Sequence, residues 1–167
     1  KVEVVDSQLA SIPLGLLVCG AAQDCAKAAS HLQVADQARR NIPLTDCYFM
    51  LDTLEYLQKG GRIGKAQAFM GSILSVKPIL KLQNGEAHPV ERPRNSERAM
   101  RRLVELTKEL APMRRLAVIH STNPERMAVL KEQLTGLVPA DQIIEARFGS
   151  TLGTYIGPEA LGVAVTQ

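Results

Sequence analysis

The sequence predicts an α/β protein with α+β character: a mixed, largely antiparallel sheet covered by helices. Three observations carry this. Short β-rich runs alternate with helical patterns in places, and the Asn84-Gly85 pair inside Gln83-Asn-Gly-Glu86 sits between two such runs, where it interrupts the βαβ order. Hydrophobic residues make up 46% and charged residues 22% of the 167 residues, an ordinary balance for one globular domain. A chain of this length buries about 70% of the surface it exposes when unfolded, so a second full domain is not expected.

In chain order, residues 2–5 read as a short strand. Residues 12–30 are Ala-rich and apolar and fit a helix buried on most of its faces, and residues 32–41 fit a more polar helix stopped by Pro43. Residues 47–52 have strand composition, and Asp52 or Thr53 is placed to cap a helix that runs to Lys59 and ends at Gly60 and Gly61. A helix is expected over residues 65–75, ended by Pro78. The hairpin follows, pairing residues 79–82 with 87–91. Asn95 or Ser96 caps a helix with Ala99, Leu103, Leu106 and Leu110 on one face, and residues 116–120 form a strand. Asn123 with Pro124 opens another helix, with Met127, Leu130 and Leu134 on one face. Residues 143–148 and 161–165 are the last strands, with residues 149–158 as the loop between them.

Charge and composition narrow the function. The formal charge of +3 and the 4% aromatic content, without Trp, give neither a basic footprint nor a stacking platform for nucleic acid. No stretch approaches the roughly 20 apolar residues of a membrane span. The start, Lys1-Val-Glu-Val-Val-Asp6, is neither a signal peptide nor an initiator Met and reads as cut from a longer protein. Cys19, Cys25 and Cys47 form no even set and no C-x-x-C pair, and read as buried free thiols in a reducing cytoplasm.

His31, His88 and His120 have no partner at metal-ligand spacing, and no Gly-x-Ser-x-Gly elbow or sequence-adjacent Cys–His pair offers a nucleophile, so neither a metal nor catalytic residues are expected. Gly60-Gly-Arg-Ile-Gly-Lys-Ala66 fails as a phosphate loop. Its glycine spacing is one residue short, Ala66 replaces the hydroxyl, and a helix precedes it. Arg62, between glycines, can reach a carboxylate or phosphate, or can pair with Asp52 or Glu55 on its own domain; Lys65 and Lys77 read as solvated. Arg92, Arg94, Arg98, Arg101 and Arg102 form either a solvated helix face or a docking surface for an acidic partner, with Arg94, Arg98 and Arg102 as its candidates. The last loop offers Thr154 and Tyr155 to a ligand, or is shaped by Gly and Pro for folding alone.

Four patches in order and spacing resemble the DegV family. They are Val5-Asp-Ser-Gln-Leu-Ala-Ser-Ile-Pro-Leu-Gly15, then Leu51-Asp-Thr-Leu-Glu-Tyr-Leu-Gln-Lys-Gly-Gly-Arg-Ile-Gly64, then Gly71-Ser-Ile-Leu-Ser-Val-Lys-Pro-Ile-Leu80, and finally residues 149–162. The resemblance implies a single DegV-like C-terminal domain over 1–167, with the family's N-terminal domain outside the chain. It implies a bacterial, cytoplasmic carrier that binds a long-chain fatty acid, uses no cofactor, and presents the acid to a fatty acid kinase subunit without being an enzyme itself. The ligand residues it implies are Arg62, Ile63, Phe69, Ile73, Thr154 and Tyr155. A Gly-x-His-x-Gly-Pro loop usual in the family reads Gly153-Thr-Tyr-Ile-Gly-Pro158 here, with Tyr155 where His would stand. A phenol donates one hydrogen bond to a carboxylate but brings no positive charge. Two other classes stay in view: a small-molecule enzyme related to phosphoryl transfer, and a regulatory module that uses the 92–102 face.

Overall fold

The computed structural model describes residues 2–27, 29–70 and 76–167. Residues 2–10 hold no strand. Val2 and Val4 are 89% and 81% exposed, because no neighbouring strand supplies the ladder that β-prone residues need. The expected strand there is corrected to an extended lead into the first helix.

That helix, α1 (Ser11–Ala26), buries Pro13, Leu16, Leu17 and Gly20. These positions make one helical stripe. Leu14 and Val18 face outward, so the helix is buried on one face and not on most. Cys19 and Cys25 lie on its exposed sides and only Cys47 is buried, which corrects the expectation of three buried thiols. The second helix, α2 (His31–Asn41), opens with a capping box between Ser30 and Gln33 and ends in a single 3₁₀ turn, Ile42–Leu44, at Pro43.

Strand β1 (Thr45–Met50) leads into the short helix α3 (Glu55–Lys59), where the Thr53 hydroxyl accepts from the Glu55 N–H. A 3₁₀ stretch, Gly64–Phe69, then runs beside the hairpin. The expected helix over 65–75 is corrected on its first part to this 3₁₀ stretch, and residues 71–75 lie outside the described residues. Gly64 enters the stretch with φ +51° and lies so close to the hairpin that a Cβ there would sit 3.1 Å from the Ala87 carbonyl oxygen. The hairpin pairs β2 (Ile79–Gln83) with β3 (Glu86–Glu91), and Asn84 and Gly85 turn with φ of +53° and +76°, as a two-residue primed turn requires.

Helix α4 (Ser96–Glu109) is capped by Asn95, whose carboxamide oxygen accepts from the Arg98 N–H at 2.9 Å. Strand β4 (Arg115–His120) follows, then α5 (Pro124–Gln133), capped by Asn123, then β5 (Ile143–Arg147). Residues 150–156, expected in a loop, form a further helix, α6 (Ser150–Ile156). Two Thr and a Gly give that segment poor intrinsic propensity, and packing against α3 decides it. The chain closes on β6 (Leu161–Thr166).

The described strands form one sheet in the order β3-β2-β1-β6-β4-β5. Every neighbouring pair is antiparallel except β4 with β5, the two strands that α5 connects. Side-chain alternation splits the strands between two cores. On one face, Met50, Val118, Leu161, Val163 and Val165 pack under α4 and α5, around Leu103 and Leu130. On the other, Cys47, Ala117 and Ala164 meet Leu16 of α1. Small residues on this second face keep α1 close to the sheet at its middle and leave room beyond the helix's first turn.

Candidate functional site

That room is an apolar cavity of about 430 Å³, within the usual range for small-molecule sites. Cys47 and Phe49 of β1, Leu82 of β2, Ala87 of β3 and Ile119 of β4 form its floor. Residues 10–13 at the start of α1 close one side, and Leu57 of α3 with Leu152, Tyr155 and Ile156 of α6 close another. Its polar edge comes from Ser11, Glu86 and Arg62.

The Arg62 loop is fixed from below. Its backbone N–H donates to the Leu57 carbonyl at 2.8 Å, and Gly61 takes φ +67° to make the turn. The Arg62 guanidinium lies 5.5 Å from the Tyr155 ring centroid, and its Nη1 donates to the Gly60 carbonyl at 3.5 Å. Asp52 and Glu55, offered above as its structural partners, are engaged elsewhere: Asp52 pairs with Lys77 and Glu55 with Lys59. Lys77 is therefore paired and only 24% exposed at its side chain, not solvated. Among the described residues Arg62 has no carboxylate partner, so its charge faces the cavity edge and solvent.

The remaining residues of the implied ligand set lie as follows. Ile63 is half-buried against the cluster that holds Leu54, Leu57, Ala66 and Leu80 and does not line the cavity. Thr154 is exposed, and its hydroxyl donates to the Thr151 carbonyl at 2.7 Å within α6. Phe69 packs on the same cluster as Ile63, with the Arg92 guanidinium 5.8 Å from its ring centroid. Ile73 lies outside the described residues. Sequence reasoning missed the cavity floor and Leu152 and Ile156. The available signals were period-two alternation at Cys47 and Phe49 and the 152/155/156 spacing, which is helical.

Burial, aided by the charge of Asp46, pushes the Cys47 thiol up to about 12. Held protonated, it is a packing atom in the cavity wall and not a nucleophile. Among the described residues no three His, Cys, Asp or Glu side chains gather where they could hold a metal ion, and no helix is long and apolar enough to cross a membrane.

A second, open groove of about 640 Å³ runs between the end of β3 and α4, lined by Arg92, Arg98, Arg101 and Arg102 with Glu91 and Glu105. Arg102 is engaged by Glu91 at 2.6 Å and by Glu105 and Glu109 at 3.0 Å, and these acids hold its guanidinium firmly charged. Arg101 lies 3.6 Å from Glu97, whereas Arg94 and Arg98 are exposed. Within this basic run Arg101 and Arg102 are thus paired with acids of their own domain.

Fold and cavity together define an open-sheet α/β domain with a helical layer on one face and an apolar pocket on the other. The chain belongs to the DegV family, whose family model, described as an uncharacterised protein family, matches residues 1–167. It is 36% identical over 171 residues to the DegV domain-containing protein SCO2569 of Streptomyces coelicolor, covering 99% of this chain and 60% of that relative. The crystal structure of DegV of Bacillus subtilis, described as a fatty acid binding protein, superposes with a TM-score of 0.84 at 35% identity, over 98% of this chain and 60% of that one. A fatty acid binding DegV family protein of Thermus thermophilus superposes with a TM-score of 0.90 at 28% identity, over 99% and 60%. The chain thus spans about three fifths of the length of these relatives.

Proposed function

We propose that the chain is the acyl-binding part of a fatty-acid carrier. The observation that carries this is the cavity of about 430 Å³, floored by apolar residues and edged by Arg62, in a chain 28% and 35% identical to proteins described as fatty acid binding. Burying each methylene contributes about 0.8 kcal/mol, so ten buried methylenes supply about 8 kcal/mol, the scale of a micromolar dissociation constant before ordering costs. An apolar cavity with one guanidinium at its edge suits a molecule that is a long hydrocarbon ending in an anion. The protonated Cys47 thiol supports binding and not covalent chemistry.

On this reading the chain is the C-terminal domain of a longer cytoplasmic protein, and the exposed position of Arg62 leaves the carboxyl end where a fatty acid kinase subunit could reach it. The test is mass spectrometry of protein purified from bacteria and then denatured, applied to this chain and to a longer parent. A long-chain acid is expected at near one per molecule in the parent. In titrations, affinity should rise about fourfold per methylene until the cavity is full. No extracted acid and an affinity flat with chain length would overturn the reading.

A further inference from the structure

Gly60 and Gly61 are neighbours that serve different ends. Gly61 has φ +67° with nothing near the place of a Cβ, so the turn requires it for its backbone. Gly60 has φ −79°, which any residue adopts. Yet a Cβ at Gly60 would lie 2.7 Å from Cε1 of Tyr155 and closer still to Cδ1. Gly157, which ends α6 as Gly60 ends α3, stands in the same relation to the Tyr56 ring, where a Cβ would overlap the ring carbons. The α3–α6 contact is therefore a reciprocal pair: each helix lends a tyrosine to the glycine that terminates the other. A ring seated this way on backbone has little freedom to turn, and the Tyr155 ring is the one that carries Arg62, 5.5 Å from its centroid.

We propose that Tyr155 is a positioning residue that acts through the face of its ring, holding the Arg62 guanidinium at the cavity edge, with Gly60 supplying the space that seats the ring. This rests on the fatty-acid reading and sharpens it. The phenol hydroxyl is then dispensable, and the preference of the site for an acid over a neutral head group depends on ring and guanidinium as one unit. An Arg side chain held in place loses less freedom on meeting an anion than a mobile one.

The test compares hexadecanoic acid with hexadecanol by competition against a fluorescent fatty acid, using the ratio of their affinities. Tyr155→Phe should keep the wild-type ratio. Tyr155→Leu should lower it about two- to fivefold, the range of a cation–π contact at an exposed site. Gly60→Ala, whose backbone any residue accepts, should do the same by displacing the ring. Arg62→Gln should lower the ratio at least as far, and adding Tyr155→Leu to it should change nothing further, as expected of one coupled unit. Thermal melts establish that each variant is folded. The proposal is overturned if Tyr155→Phe loses as much as Tyr155→Leu, if Tyr155→Leu keeps the wild-type ratio, or if its effect adds to that of Arg62→Gln. A wild-type protein that binds neither acid nor alcohol overturns the carrier reading together with this one.

Discussion

Cys47 reports on the cavity wall directly. It is 8% exposed on β1, and burial, with the charge of Asp46 adding to it, pushes its thiol up to about 12, while Cys19 and Cys25 are exposed on α1. Only the thiolate attacks a disulfide reagent, so at pH 8 Cys47 is reactive in about one molecule in 10⁴ even before access is considered. Ellman's reagent should titrate two thiols in the native protein and the third only in denaturant. The same shift predicts a stability trend. The folded state favours the neutral thiol, so its contribution is complete below the ordinary value near 9.0 and is lost as pH rises toward 12. The slope is about 1.4 kcal/mol per pH unit in that window. Urea unfolding at pH 10 and pH 11 measures it, with Cys47→Ala subtracting what lysines and tyrosines contribute to both proteins. Three thiols reacting in parallel, or equal pH slopes for wild type and Cys47→Ala, would refute the buried, protonated thiol and with it the closed cavity wall.

Two further outcomes separate stability from binding. Leu103 is fully buried in the core under α4, on the face of the sheet opposite the cavity, so Leu103→Ala should cost about 2–5 kcal/mol in urea unfolding while leaving the amount of extracted fatty acid per folded molecule unchanged. Glu159 accepts from Asn123 above all, and also from Arg126 and Thr122, which holds its carboxyl below the ordinary value. Its stabilisation is present above the unfolded value and lost as pH falls through the folded one. Glu159→Gln should therefore flatten the fall in Tm between pH 5 and pH 3 relative to wild type, and parallel curves would remove that role.

How much of the fold could be read depended on whether the signal was local. Asn84-Gly85, Asn95 and Asn123-Pro124 each state a backbone conformation within two or three residues, and each turned or capped the chain where it was expected. Residues 2–5 have a strand's composition, but a strand needs a partner, and the six-stranded sheet forms without them. Residues 150–156 have a loop's composition, yet form a helix because Tyr155 and Ile156 find Gly60 and Leu57 to pack against. In both cases contacts distant in sequence overruled local preference. The thiols follow the same rule: apolar neighbours along α1 suggested burial, but a helix buries a stripe, and Cys19 and Cys25 lie outside the stripe of Pro13, Leu16, Leu17 and Gly20.

The site divides along the same line. Arg62 stands out because glycines flank it, and Tyr155 because it departs from a family pattern, and these two line the cavity. The rest of the wall comes from strand positions that look like any core residue, since a cavity is made by what is absent between side chains and no single residue carries that information. Gly60 shows how far such information can hide. Beside Gly61 it reads as half of one turn signal, yet its φ of −79° needs no glycine, and it is the Tyr155 ring above all that occupies the place of a Cβ there. The glycine pair is thus two signals written in adjacent letters. One shapes the loop that carries Arg62, and the other seats the ring against which Arg62 lies, so a guanidinium on an exposed loop is held from two directions before any ligand arrives.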